Sequence, residues 1–266
     1  NTASVIGVGL AINDTTSLIE NSTISDNAAD SMHMDGTVPL VFGGGGIWIS
    51  GSPQVTIRYS TVADNAAPNG AGGGIHGGLI DPTGSRFVSL EGSIVSGNTA
   101  LAMSTDLGRP APGLSTANCG GWFDNGVTSL GGNVIGDASC QIAGPGDAIG
   151  TDALLGALAD NGGPTPTRAL QPGSAGIDNA PSCGVTGSTA NTATLLGFSE
   201  LVTVDQRGTA RPSGTACDSG AFEAVVTVGD TVPPTIAPHA DVTAEATGRA
   251  GARVTYTAPA TQDNVD

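Results

Sequence analysis

Leu18-Ile19-Glu20-Asn21-Ser22-Thr23-Ile24-Ser25-Asp26-Asn27-Ala28 returns as Val55-Thr56-Ile57-Arg58-Tyr59-Ser60-Thr61-Val62-Ala63-Asp64-Asn65-Ala66, and again as Val88-Ser89-Leu90-Glu91-Gly92-Ser93-Ile94-Val95-Ser96-Gly97-Asn98. Each copy reads as an alternating β-branched strand, a polar bend, a second short strand and an asparagine turn. Leu130-Gly131-Gly132-Asn133-Val134-Ile135 is a weaker echo. Successive asparagines are 38 and 33 residues apart, a period that signals a solenoid or array. A second repeat, Gly44-Gly45-Gly46-Ile47-Trp48-Ile49, recurs as Gly72-Gly73-Gly74-Ile75-His76-Gly77, with Gly7-Val8-Gly9-Leu10-Ala11-Ile12 as a degenerate copy. Two or three short strands per repeat, with no room for a long amphipathic helix, predict an all-β chain folded as a parallel β-helix.

In that geometry matching residues of neighbouring coils stack about 4.8 Å apart. Ile19, Ile57 and Leu90 then point inward, as do Ile24, Val62 and Val95. Ser22, Ser60 and Ser93 form one polar column, and Asn27, Asn65 and Asn98 an asparagine ladder. Glu20, Arg58 and Glu91 share an outward position, which predicts an exposed ion-pair ladder worth at most ~1 kcal/mol per pair.

The chain has 266 residues, 42 of them glycine, and only 3% aromatics, which suits turns and small stacked side chains. Its net charge is −16, and all eight basic residues are arginine. Nucleic acid needs clustered cations and is not an expected partner. An anionic membrane surface is disfavoured for the same reason, and no apolar run is long enough to insert in a bilayer. The scattered aspartates read as a solubilising surface; weak Ca²⁺ sites are the one cofactor class they leave open, and no metal ligands are assigned. Cys119, Cys140, Cys183 and Cys217 lack metal-ligand spacing and predict two disulfides in an oxidising compartment. Chain order favours Cys119 with Cys140 and Cys183 with Cys217, among three pairings. The chain starts inside the repeat pattern and stops within another, as a piece of a larger exported protein would.

Residues 1–149 are assigned to coils, with insertions at 28–42 and 79–86 emerging as loops. Residues 150–229 are assigned to a cap over the last coil's open edge, pinned by disulfide. There Asp178, Asp205, Arg207, Arg211, Asp218 and Glu223 gather cations and carboxylates, which predicts buried pairs that lock the cap. Pro233-Pro234 marks a linker, and residues 230–266 alternate like strands of an incomplete immunoglobulin-like module.

The Ser-Thr-Ile-Ser-Asp-Asn-Ala and Gly-Gly-Gly-Ile pairs resemble the repeats of polymorphic outer-membrane-protein-type β-helices. The run from Leu154-Leu155-Gly156 through Asp160-Asn161-Gly162-Gly163-Pro164-Thr165, Asp205-Gln206-Arg207-Gly208, Arg211-Pro212 and Cys217-Asp218-Ser219-Gly220-Ala221-Phe222-Glu223 is similar to bacterial choice-of-anchor surface proteins with right-handed parallel β-helices. The tail from Asp230-Thr231-Val232-Pro233-Pro234-Thr235 to Asp263-Asn264-Val265-Asp266 resembles the start of a hyalin-repeat (HYR) domain. These resemblances imply a secreted or cell-surface bacterial protein. They supply no catalytic residues.

Two functions follow from the residues. One is a structural or adhesion protein that meets extracellular polysaccharide or neighbouring surface proteins. Ala11, Trp48 and His76 would stack outward and offer Trp48 and His76 to sugar rings, and the C-terminal strand could pair between molecules. The alternative is a polysaccharide lyase or glycoside hydrolase of the pectin-lyase-like type. Glu20 and Glu91, about 9.6 Å apart over two coils, would be its carboxylates, but Arg58 between them would keep both ionised. A lyase base could only be Arg58 or His76.

Overall fold

The computed structural model describes residues 2–3, 9–29, 32–35, 38–41, 44–51, 54–68, 72–77, 87–103, 110–121, 127–180, 183, 201–225, 235–238 and 240–262. The 79–86 insertion, Trp122 to Asp124 and the Pro233-Pro234 linker lie outside the described residues. No helix occurs among the described residues.

Four stacks of parallel strands carry the fold, and each repeat supplies them in the same order. The first stack joins Leu10–Asn13, Ile47–Ser50, Ile75–Gly77 and Cys119–Gly121. The second joins Ser17–Glu20, Gln54–Arg58, Phe87–Glu91 and Val127–Ser129. The third joins Thr23–Ser25, Thr61–Ala63, Ile94–Ser96, Val134–Ile135 and Ala148–Ile149. Thr2–Ala3, Ala28–Ala29, Ala66–Ala67 and Thr99–Met103 make the fourth, which Pro110–Thr116 extends antiparallel. Strands two to five residues long cannot hold together alone. Stacking in register gives each the inter-strand bonds it lacks.

Registry puts like on like. Ile19 pairs with Ile57 and Leu90, and Ile24 with Val62, Val95 and Ile135. With Ile47, Ile49 and Ile75 they form one continuous core, in which most are fully buried. Each such side chain contributes about 1.5–3 kcal/mol.

Two polar columns run beside that core. The Asn27 amide nitrogen donates to Asn65 Oδ1 at 2.8 Å, Asn65 to Asn98 at 2.9 Å, and Asn98 to Asn118 at 2.8 Å. Each residue's backbone N–H donates to the same oxygen. In the second column the N–H of Ser22 donates to Ser60 Oγ, that of Ser60 to Ser93 Oγ, and that of Ser93 to Asn133 Oδ1. Asn133 therefore belongs to the serine column, and the fourth rung of the asparagine ladder is Asn118, which stands where Gly46 and Gly74 stand earlier. Glycine is required there: a Cβ on Gly46 would lie 2.6 Å from Gly74 O and 3.0 Å from Asn65 Nδ2. Both columns donate in one direction and both end on aspartate. Asp137 accepts from Asn118 N at 3.1 Å, and Asp147 from Asn133 N at 2.9 Å. A carboxylate accepts only, so the chain of donors can stop there.

The expectation of a cap over the last repeat's open edge is corrected. The described residues between 150 and 225 lie along the flank and reach all four repeats: Gln206 meets Thr23, Ala221 N donates to Thr61 Oγ1, Gly220 N to Gly92 O, and Ser219 Oγ to Gly132 O. The cause is the outward column of the third stack, Thr23, Thr61, Ile94 and Val134, which turns apolar along its length. Ile94 and Val134 are covered by Ala153 and Leu170 with Leu155, Ile177 and Phe222. The hairpin of Leu155–Ala159 with Thr167–Leu170 supplies part of that cover.

Residues 226–266 form a separate unit. Within it Thr235–Ile236 pairs antiparallel with Thr261–Gln262, while Val242, Val254 and Tyr256 are exposed.

Asn65→Ala removes one rung and strands the buried donors of Asn27 and the acceptor of Asn98. At about 1–3 kcal/mol per orphaned group, the urea unfolding free energy should fall by about 2–4 kcal/mol. A change within about 0.5 kcal/mol, the range of ordinary surface substitutions, would contradict the ladder's role.

Candidate functional site

Glu20, Arg58 and Glu91 do stack in one column, but they are not an exposed ladder. The Arg58 side chain is 0% and Glu91 4% exposed, while that of Glu20 keeps 29%. The flank segment packs on their neighbours in the chain, Tyr59 and Gly92. Tyr59, next to Arg58, packs with Ala180, Val202 and Cys217, and its ring lies against Gly92 of the next repeat, where a Cβ would stand 2.7 Å from the ring. Tyr59 holds the left-handed backbone, φ 45°, of its column neighbours Asn21 and Gly92. An aromatic residue at that strained position is accounted for by the anchoring.

Arg58 pairs with the Glu20 carboxylate through both Nε and Nη2. The Arg58 charge does not offset the effect of burial on Glu91. Burial raises the Glu91 carboxyl to about 7, with Arg58 pulling it down and Glu20 pushing it up. Burial, then the Glu91 charge, also holds the Tyr59 hydroxyl protonated far above its ordinary value. The Arg211 guanidinium lies 5.1 Å from the Tyr59 ring, so the charged column runs on into the flank segment.

There Arg211 donates to Glu223 Oε2 at 2.7 Å and to the carbonyls of Asp218 and Gly220. Arg207 grips Asp205 Oδ2 through two nitrogens, at 2.8 and 2.7 Å, stacks 3.6 Å over Phe222 and donates to Glu223 O. Asp218 accepts from the amides of Asp178 and Ala224, and Asp178 from that of Ala216. Burial raises Asp205 but four hydrogen bonds outweigh it, and its carboxyl ends below the usual range. Burial raises Asp218 to about 6 against two amide bonds. The six residues are brought together as one closed network whose groups face each other. Breaking such a buried pair by removing one partner costs about 3–5 kcal/mol.

The disulfides are Cys119–Cys140 and Cys183–Cys217. The first lies in the core of the stacks and the second against Tyr59.

Trp48 and His76 share a column with Ala11 and Gly120. They do not present a flat sugar platform: His76 is 6% exposed, Trp48 is half-buried, and the indole nitrogen is enclosed. Among the described residues no three His, Cys, Asp or Glu side chains gather as a metal-binding group.

Sequence reasoning missed Tyr59, Arg168 and an open cleft. Arg168 donates to Asp26 and Ser25 and pairs with Asp64 at 2.7 Å, clamping the asparagine turns of two repeats. The cleft, of about 410 Å³, opens between the first repeat and the flank segment. Its walls are some 140 to 180 residues apart in sequence, so no local pattern announces it.

Glu91 and Asp218 set the pH dependence. Both carboxyls are raised above their ordinary values of 4.5 and 3.8, so the folded chain keeps protons that the unfolded chain has released. Their contribution is fully present at low pH and is lost as pH climbs through about 4 to 7. The urea midpoint should therefore fall between pH 5 and pH 7, and Glu91→Gln should flatten the upper half of that decline. A wild-type midpoint that rises over the interval, or an unchanged slope in the variant, would contradict the assignment.

Comparison with known protein families, with curated proteins and with solved structures gives no match for this chain.

Proposed function

We propose that the chain is a non-catalytic extracellular scaffold: a right-handed parallel β-helix with a flank-bound C-terminal segment, from a bacterial surface protein of the choice-of-anchor type. Residues 230–266 are then an HYR-type segment. The repeating order of strands through four parallel stacks supports a helical winding, and connections between parallel strands of one sheet are right-handed in nearly all proteins. The two disulfides fit an oxidising compartment. Among the described residues no helix is long and apolar enough to cross a membrane.

The observation that carries the non-catalytic reading is that, among the described residues, the charged clusters singled out for chemistry are spent on structure. A glycosidase built on Glu20 and Glu91 needs two carboxylates that face a sugar across an open groove. Here Arg58 lies between them, gripping Glu20, and Glu91 is buried. The Arg–carboxylate network is closed on itself, and perturbed carboxyls in such networks need no substrate to explain them. The work such a fold does is to hold surfaces in place for adhesion.

Incubation with neutral and uronate-containing polysaccharides tests this, with unsaturated ends read by ultraviolet absorbance and hydrolysis by new reducing ends. The expected result is no turnover. Turnover abolished by Glu91→Gln or His76→Ala would overturn the reading and favour the polysaccharide lyase or hydrolase alternative.

A further inference from the structure

We propose that the cleft between the first repeat and the flank segment binds a neutral saccharide. One wall is Asn21, Ser22, Thr23 and Ser25, and the other is Thr165 and Gln206 with Leu158 and Pro166. Every polar lining residue carries a hydroxyl or an amide and none is ionised. In a chain with net charge −16 an anionic ligand meets repulsion, and the lining offers a cation no carboxylate. Asp26, next to lining residue Ser25, is held by Arg168 through both oxygens at 2.9 Å. A ligand matched to this surface is uncharged and rich in groups that both donate and accept, which describes the hydroxyls of a sugar.

The walls are fixed before any ligand arrives. Thr23 Oγ1 donates to Gln206 Oε1 at 2.7 Å, Asn21 Nδ2 to Val204 O at 2.8 Å, and Gln206 Nε2 to Thr165 Oγ1 at 2.8 Å. Side chains already ordered cost little further entropy on binding. Hydrogen-bonding capacity is left over. Thr165 Oγ1 accepts from Gln206 Nε2, and its own hydroxyl proton has no described acceptor. Leu158, 40% exposed, and Pro166 give the C–H face of a sugar ring an apolar surface. The 410 Å³ volume lies within the range of small-molecule sites, roughly 300–1,000 Å³.

This rests on the extracellular reading and names the ligand class within it. The test titrates the whole 266-residue chain with neutral gluco-, galacto-, manno- and xylo-oligosaccharides and with oligouronates, following amide shifts by NMR. At least one neutral series should shift amides of residues 21–25, 158, 165 and 206, and the oligouronates should bind at least about tenfold more weakly. Leu158→Asp, on an exposed hairpin position, should weaken neutral binding by about tenfold or more with the urea midpoint unchanged, and Thr165→Val should weaken it independently. No shifts at the cleft with any neutral series would overturn the inference. So would saccharide binding elsewhere that both variants retain, and either outcome leaves the scaffold reading standing. Turnover of the titrated sugars would overturn the scaffold reading itself.

Discussion

A backbone amide in a tight bend has no neighbouring strand to bond to, and this chain bends three or four times in every repeat. Its solution is a side-chain oxygen lent by the next repeat. The amides of Asn27, Asn65 and Asn98 donate to the Oδ1 of the following rung, and those of Ser22 and Ser60 to the following hydroxyl. A buried donor left unpaired would cost about 1–3 kcal/mol, comparable to what a buried isoleucine contributes. Shifting one repeat by a single residue would break these bonds and turn the core side chains outward together. Registry is therefore enforced twice, by the apolar core and by the polar columns, and the glycines before Ile47 and Ile75 are the clearance that lets both coexist.

The flank segment depends on that registry. It reads the outer surface of the stacks across all four repeats, and it can do so only if Thr61, Gly92 and Gly132 hold fixed heights. Arg58 and Glu91 are buried beside the Tyr59 anchor, and charged groups are expensive to bury. Arg58 is paired with Glu20, whereas Glu91 reduces its cost by holding a proton up to about pH 7. The same desolvation that removes these groups from catalytic use makes the interface sensitive to pH.

Much of this was legible in the repeat alone. The period of Asn27, Asn65 and Asn98, the β-branched alternation and the glycine-rich strands predict parallel stacking, and the clustering of Arg207, Arg211, Asp218 and Glu223 predicts a buried network. What stayed hidden came from contacts between distant parts of the chain. Nothing near Tyr59 in sequence says that Val202, Arg211 and Cys217 will pack on it, so the outward column beside it reads as an exposed one. Asn118 escapes a period-based search because it joins the ladder from the glycine column, only 20 residues after Asn98. Tyr59 and Ile94 carried signals that could have been used: each is a bulky residue where its column elsewhere has a turn former or a threonine.

Hydrogen exchange at the turn amides tests the central claim most directly. Ser22, Ser60, Asn27, Asn65 and Asn98 lie outside the strands, so a chain without vertical registry would exchange them as fast as exposed loops. The ladders predict that Ser60, Asn65 and Asn98 exchange as slowly as the core amides of Ile57 and Val62, through global unfolding. Loop-like exchange at these positions in the folded protein would contradict the account.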